Sequence, residues 1–135
     1  MAYIMIVDDD EDFALAVAKE LRGAGHEVGF ELEIGPALKH MEERPPDLLV
    51  LDVMFPENDS AGFELAQEIR RQKGPLREMP ILMLTAVNMR FPLGFGMADA
   101  DEFWMPVNDF VEKPVDLGEL RSRVTALLQP TGKGI

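Results

Sequence analysis

Short apolar stretches alternate along this chain with amphipathic ones. Tyr3-Ile4-Met5-Ile6-Val7 is continuous, apolar and ends in acid, the pattern of a strand buried on both faces of a sheet. After it Ala14, Val17, Ala18 and Leu21 fall at i, i+3, i+4 and i+7 with Lys19 and Glu20 between them, and Gly23 and Gly25 stop the helix. His26 to Glu31 is half polar and suits an edge strand. Ile34, Ala37, Leu38 and Met41 repeat the helical spacing until Pro45-Pro46 forbids continuation. Leu48 to Asp52 is a second apolar run closed by a carboxylate, and Gly62, Leu65, Ala66 and Ile69 form the next helical stripe. Pro80 to Thr85 is a fourth strand, with Pro at its first position where a missing N–H is tolerated. Asp109 to Glu112 is a short fifth. Leu117, Leu120, Val124, Leu127 and Leu128 make the clearest stripe of all, with Asp116 and Glu119 spaced as a capping box.

Strands alternating with helices through short connections predict an α/β fold. Right-handed crossovers narrow it to a flavodoxin-like, doubly wound five-stranded parallel sheet of order 2-1-3-4-5. Residues 1–128 form one domain and 129–135, rich in Pro, Gly and polar residues, a flexible tail. Ligands in such folds bind beyond the carboxyl ends of the strands. The residues that end each strand are therefore the ones that matter.

Composition sharpens this. The 135 residues carry 25 Asp plus Glu against 13 Lys plus Arg, a net charge of −12, which disfavours direct binding to nucleic acid or to an anionic membrane. With no Cys, disulfide scaffolds and thiolate zinc sites are excluded. The first residues lack a basic region and a long apolar one, so a cytoplasmic location without a membrane span is expected.

Strand 1 ends in Asp8-Asp9, strand 3 in Asp52, strand 4 in Thr85, and strand 5 runs into Lys113-Pro114. Carboxylates gathered at one sheet edge repel each other and call for a cation. Mg²⁺ suits a site that handles phosphoryl groups, because it keeps several waters and takes one or two carboxylates beside phosphate oxygens. A carboxylate can itself be the nucleophile, and Asp52, at the end of the central strand, is placed for that role. Lys113 supplies a mobile positive charge and Thr85 a hydroxyl for the incoming phosphoryl oxygen.

These pieces resemble the receiver domain of two-component response regulators. The matching elements are the apolar strand before Asp8-Asp9, Leu51-Asp52 with Pro56 four residues on, Leu84-Thr85-Ala86, Phe110 three residues before Lys113, and Lys113-Pro114. The resemblance runs from Tyr3 to Leu128. It implies that Asp52 is phosphorylated by a histidine kinase or a phosphotransfer protein. It also implies Mg²⁺ held by Asp9, Asp52 and the backbone carbonyl of Met54, with Asp8 acting through water. Thr85 and Phe110 would form the switch, the Lys113-Pro114 peptide would be cis, and a downstream protein would receive the signal by contact. Such a module is not a turnover enzyme. The Asp-nucleophile phosphatases place a second Asp two residues past the nucleophile, and here that position is Met54. A flavodoxin-type cofactor carrier would want a phosphate-cradling loop where Asp8 to Asp12 repels phosphate.

Two stretches depart from the family pattern. Glu57 to Ala61 lengthens the loop beside Asp52, and Thr85 to Lys113 is longer than usual. Within the latter, Met89, Phe91, Leu93, Phe95 and Met97 alternate with polar residues, Pro92, Gly94 and Gly96, a period of two that opposes a helix. The fourth helix is then lost or displaced towards Met97 to Trp104, and the apolar row across residues 88–110 is covered by a partner or by a second copy as a homodimer. The rival reading is a degenerate receiver that acts as a phosphorylation-independent protein-binding module. Asp10, Glu11 and Asp12 read as an acidic helix start. His26 and His40 lie on no convergent site and read as solvated.

Overall fold

The computed structural model describes residues 2–52, 61–72, 74–86, 108–113 and 115–128. Five strands, β1 (Tyr3–Val7), β2 (Glu27–Glu31), β3 (Leu48–Asp52), β4 (Ile81–Ala86) and β5 (Asp109–Lys113), form one sheet of order β2-β1-β3-β4-β5. Every neighbouring pair is parallel. The sheet is the one the sequence pattern predicts.

Four helices, α1 (Glu11–Gly23), α2 (Ala37–Glu43), α3 (Ala61–Arg71) and α4 (Leu117–Leu128), and a 3₁₀ turn at Gly74–Glu78 complete the described structure. Because strand side chains alternate faces, the apolar runs divide by parity. Met5, Val7, Leu49, Leu51, Ile81 and Met83 pack with Ala37 and Met41 of α2 and Leu65, Ala66 and Ile69 of α3. Ile4, Ile6, Leu48, Val50, Leu82 and Leu84 pack with Ala14, Val17, Ala18 and Leu21 of α1 and Leu120 and Val124 of α4. Each fully buried Leu or Ile contributes about 1.5–3 kcal/mol, so the continuous runs in β1, β3 and β4 supply much of the stability. Arg121 of α4 pairs with Glu20 of α1 at 2.9 Å, tying the two helices of one face together.

The helix ends show the local chemistry. Asp10 caps α1 by accepting from the Phe13 amide at 3.1 Å. At the other end the Gly25 amide donates to the Arg22 carbonyl and the His26 amide to the Leu21 carbonyl, a paired closure that needs a left-handed residue, met by Gly25 at φ 99. Asp116 caps α4 through the Glu119 amide at 2.9 Å, but the Glu119 carboxylate accepts from Arg123. Half of the expected capping box is thus in place. Ile34 lies outside α2, which starts at Ala37 after Pro36, because the residue preceding Pro is driven away from helical geometry. Ile34 still packs on the α2 and α3 core.

His40 is exposed, in keeping with the solvated reading, whereas His26 is half-buried and departs from it. His26 Nδ1 accepts from the Ala2 amide at 3.2 Å, and His40 Nδ1 pairs with Glu31 Oε2. No helix among the described residues is long and apolar enough to cross a membrane. The stretch expected to be a lost or displaced fourth helix, together with Pro56 and residues 57–60 of the loop expected over Glu57 to Ala61, lies outside the described residues, while Ala61 opens α3 rather than closing that loop.

Candidate functional site

The register places the strand ends side by side. Val7 pairs with Leu51, so Asp8 follows β1 at the level of Asp52 on β3. Asp52 in turn pairs with Leu84 of β4. Thr85 is opposite Glu112, and Lys113 opposite Ala86. Asp8, Asp52, Thr85 and Lys113 are therefore carried to one rim by four adjacent parallel strands or the turn that leaves them. Thr85 and Lys113 are placed here by their backbone.

Asp8, Asp9 and Asp52 each offer a carboxylate oxygen within 4.8 Å of the others, a group of the kind that holds a metal ion. Asp8 is fully buried and Asp52 is 3% exposed, whereas Asp9 faces solvent. Two unit charges at such a separation repel by about 3 kcal/mol at an effective dielectric near 20, a cost a fold retains where it serves binding or chemistry. The donor set is all oxygen and anionic, which fits a hard divalent cation and not a thiolate- or imidazole-seeking one. Mg²⁺ in particular accepts such a set while leaving positions for water and a phosphate oxygen.

Asp8 is further held in place. Its Oδ1 accepts from the Asp10 amide at 2.9 Å, while its own amide donates to the Glu31 carbonyl of β2 at 3.0 Å. One short turn thus fixes the Asp8 carboxylate and, through Asp10, starts α1. The acidic run alone marks Asp10 only as a helix start. The signal for its second role is the Asp-x-Asp spacing at a strand-to-helix junction, where an Asx side chain binds the backbone two residues on. Phe110, read as core and switch, is partly buried against the α2 and α3 side of the sheet. Met54 and Pro114, and with Pro114 the expected cis peptide, lie outside the described residues.

The five-stranded parallel sheet and the acidic rim at its strand ends are those of an α/β signalling domain. The chain belongs to the response regulator receiver domain family, whose sequence model matches residues 4–125. It is similar to the alkaline phosphatase synthesis transcriptional regulatory protein PhoP of Bacillus subtilis (strain 168), 35% identical over 126 residues, covering 93% of this chain and 48% of PhoP. Among solved structures it is similar to a putative response regulator from Chloroflexus aurantiacus J-10-fl, with a TM-score of 0.75 and 34% identity over 94% of this chain and 97% of that one. A CheY-like receiver domain protein from Methanospirillum hungatei JF-1 superposes with a TM-score of 0.76 at 26% identity, covering 93% of both chains. The chain spans about half the length of the curated relatives it matches. As a receiver domain it is a signalling module.

Proposed function

We propose that Asp52 is the phosphoacceptor of a two-component relay and that Asp8, Asp9 and Asp52, with the carbonyl of Met54, hold Mg²⁺ there. The observation that carries this reading is the meeting of the three carboxylates within 4.8 Å at the strand ends, two of them buried. An Asp52 carboxylate oxygen attacks the phosphorus of a phosphohistidine on a kinase or phosphotransfer protein. The new O–P bond forms as the P–N bond breaks, and the electron pair stays on the leaving imidazole, which is neutral because its other ring nitrogen carries a proton taken from solvent. Mg²⁺, when bound, neutralises charge on the phosphoryl oxygens. Lys113 balances the added charge, and the Thr85 hydroxyl donates to a phosphoryl oxygen. Loss of the group is attack by water at phosphorus, which releases inorganic phosphate and restores the carboxylate.

The signal leaves through Thr85, Phe110 and the surface across residues 88–110. Phe110 is partly buried against the α2 and α3 core. Output is by contact with a downstream protein, in keeping with a net charge of −12 that opposes direct nucleic-acid binding. The test is incubation with Mg²⁺ and acetyl phosphate followed by intact-mass measurement. A gain of one phosphoryl group that vanishes in Asp52→Asn supports the relay. Mg²⁺ binding with no gain supports the phosphorylation-independent module instead.

A further inference from the structure

β5 is an edge strand, tied to α4 by Arg123, which donates to the two Asp109 carboxylate oxygens at 3.0 and 2.9 Å and to the Phe110 carbonyl at 3.4 Å. It buries Val111 on one face and, partly, Phe110 on the other. The stretch 87–107 that precedes it is too long to dictate alignment the way a tight turn would. Yet β5 carries Lys113, and its alignment with β4 decides how far along the rim that residue stands. A slip of one residue would carry Lys113 about 3.3 Å along the strand and exchange the faces of Phe110 and Val111.

The amino end of β5 carries a compact polar clamp. Asn108 donates its amide to the Ile81 carbonyl at 2.8 Å, and its Oδ1 accepts from the Ile81 amide at 2.8 Å. Both backbone groups of the first β4 residue are thereby gripped by one side chain and its own backbone. Arg70, at the end of α3, donates Nη2 to the same Oδ1 at 2.9 Å and Nη1 to the carbonyls of Arg77 and Met79 at 2.9 and 2.7 Å. Burial lowers the Arg70 pKa from its usual value, yet a guanidinium stays charged at any physiological pH. The clamp joins α3, the 3₁₀ turn, β4 and β5 at the end of the sheet opposite the acidic rim.

We infer that Arg70 and Asn108 are positioning residues, which fix β5 on β4 and so set the place of Lys113 relative to Asp52. The part that concerns chemistry rests on the role proposed above for Lys113; the part that concerns register does not. Misplacement of a participating group by ~1 Å can cost up to about a hundredfold in rate. A clamp at the far end of a strand is thus able to govern phosphorylation without touching the site.

The test compares Asn108→Ala with Asn108→Asp, which keeps an acceptor for Ile81 and Arg70. Three quantities are measured: cross-strand nuclear Overhauser contacts Thr85–Glu112 and Ala86–Lys113, the initial rate of phosphoryl gain from acetyl phosphate with Mg²⁺, and Mg²⁺ affinity by calorimetry. The expected result is loss of both contacts in N108A and a rate lower by about tenfold or more, with Mg²⁺ affinity unchanged and with contacts and rate restored in N108D. Retention of both contacts at the wild-type rate overturns the inference. So does a parallel fall of rate, Mg²⁺ affinity and melting temperature that N108D does not restore, since that is the mark of a merely structural residue. Should N108A not fold, Arg70→Gln carries the same test, with a smaller shift in the same direction expected and an unchanged rate and contacts overturning it. A wild-type protein that gains no phosphoryl group defeats the proposed function, and the strand contacts then decide the register claim alone.

Discussion

At the amino ends of the strands, charge is matched. Tyr3 exchanges backbone and side-chain hydrogen bonds with Asp47 at 2.7 and 2.8 Å, and Arg44 forks onto Glu27 at 2.6 and 2.8 Å while lying 3.9 Å from the Tyr3 ring centroid. Arg70 spreads its guanidinium over two carbonyls and Asn108. At the carboxyl ends of the same strands, three carboxylates meet, two of them out of solvent. One end pairs its charges and the other gathers like ones, a division that the function proposed for the acidic rim would account for.

Substitutions at the two ends should therefore act with opposite signs. The largest effect is expected for Asp52→Asn, which abolishes phosphoryl gain in the mass assay while the fold persists by circular dichroism. Next is Asp8→Asn, which keeps an acceptor for the Asp10 amide and removes a buried like charge. Without Mg²⁺ its urea midpoint should rise, by about 1–3 kcal/mol in unfolding free energy, and its Mg²⁺ affinity by calorimetry should fall about tenfold or more. A fall in metal-free stability would break the contrast drawn here. Arg70→Ala at the other end should lose about 2 kcal/mol in the same unfolding experiment, since it leaves two carbonyls and the Asn108 oxygen short of a donor.

The smallest effect is expected for Arg44→Ala, because this fork is exposed and screened by salt. Its pH dependence is still diagnostic. The Arg44 hydrogen bond first, and its charge second, hold the Glu27 carboxyl below the usual carboxylate range. A carboxyl depressed in the folded state stabilises above its unfolded pKa and loses that contribution as pH falls through the folded one. The small gap between wild-type and R44A urea midpoints should accordingly be present at neutral pH and close in acid.

Much of this was legible in the sequence because apolar periodicity reports burial directly. The β1 run reads as a strand buried on both faces, and Ile4 to Val7 are buried; the apolar runs of β3 and of Ile81 to Leu84 in β4 are buried as well. The acidic rim was legible for a related reason, since Asp8 and Asp52 each close such a run, and strand order then puts them side by side. Polar partners across the fold carry no period. Asn108 precedes a strand signal by one position and Arg70 ends a helix stripe, and nothing in either neighbourhood announces a contact 38 residues away in the chain. His40 and Arg44 were opaque for the same cause. They sit four apart on the helical side and meet Glu31 and Glu27 of β2, a match visible only once α2 is laid beside that edge.

The parity of the strands has a further consequence. Leu48 and Val50 look towards α1 and α4 while Leu49 and Leu51 look towards α2 and α3, so the sheet separates two interiors that, among the described residues, share a backbone and no buried side chains. A change of volume on one side is expected to be taken up by the helices packed there, while the acidic rim, borne by the partition itself, stays where it is.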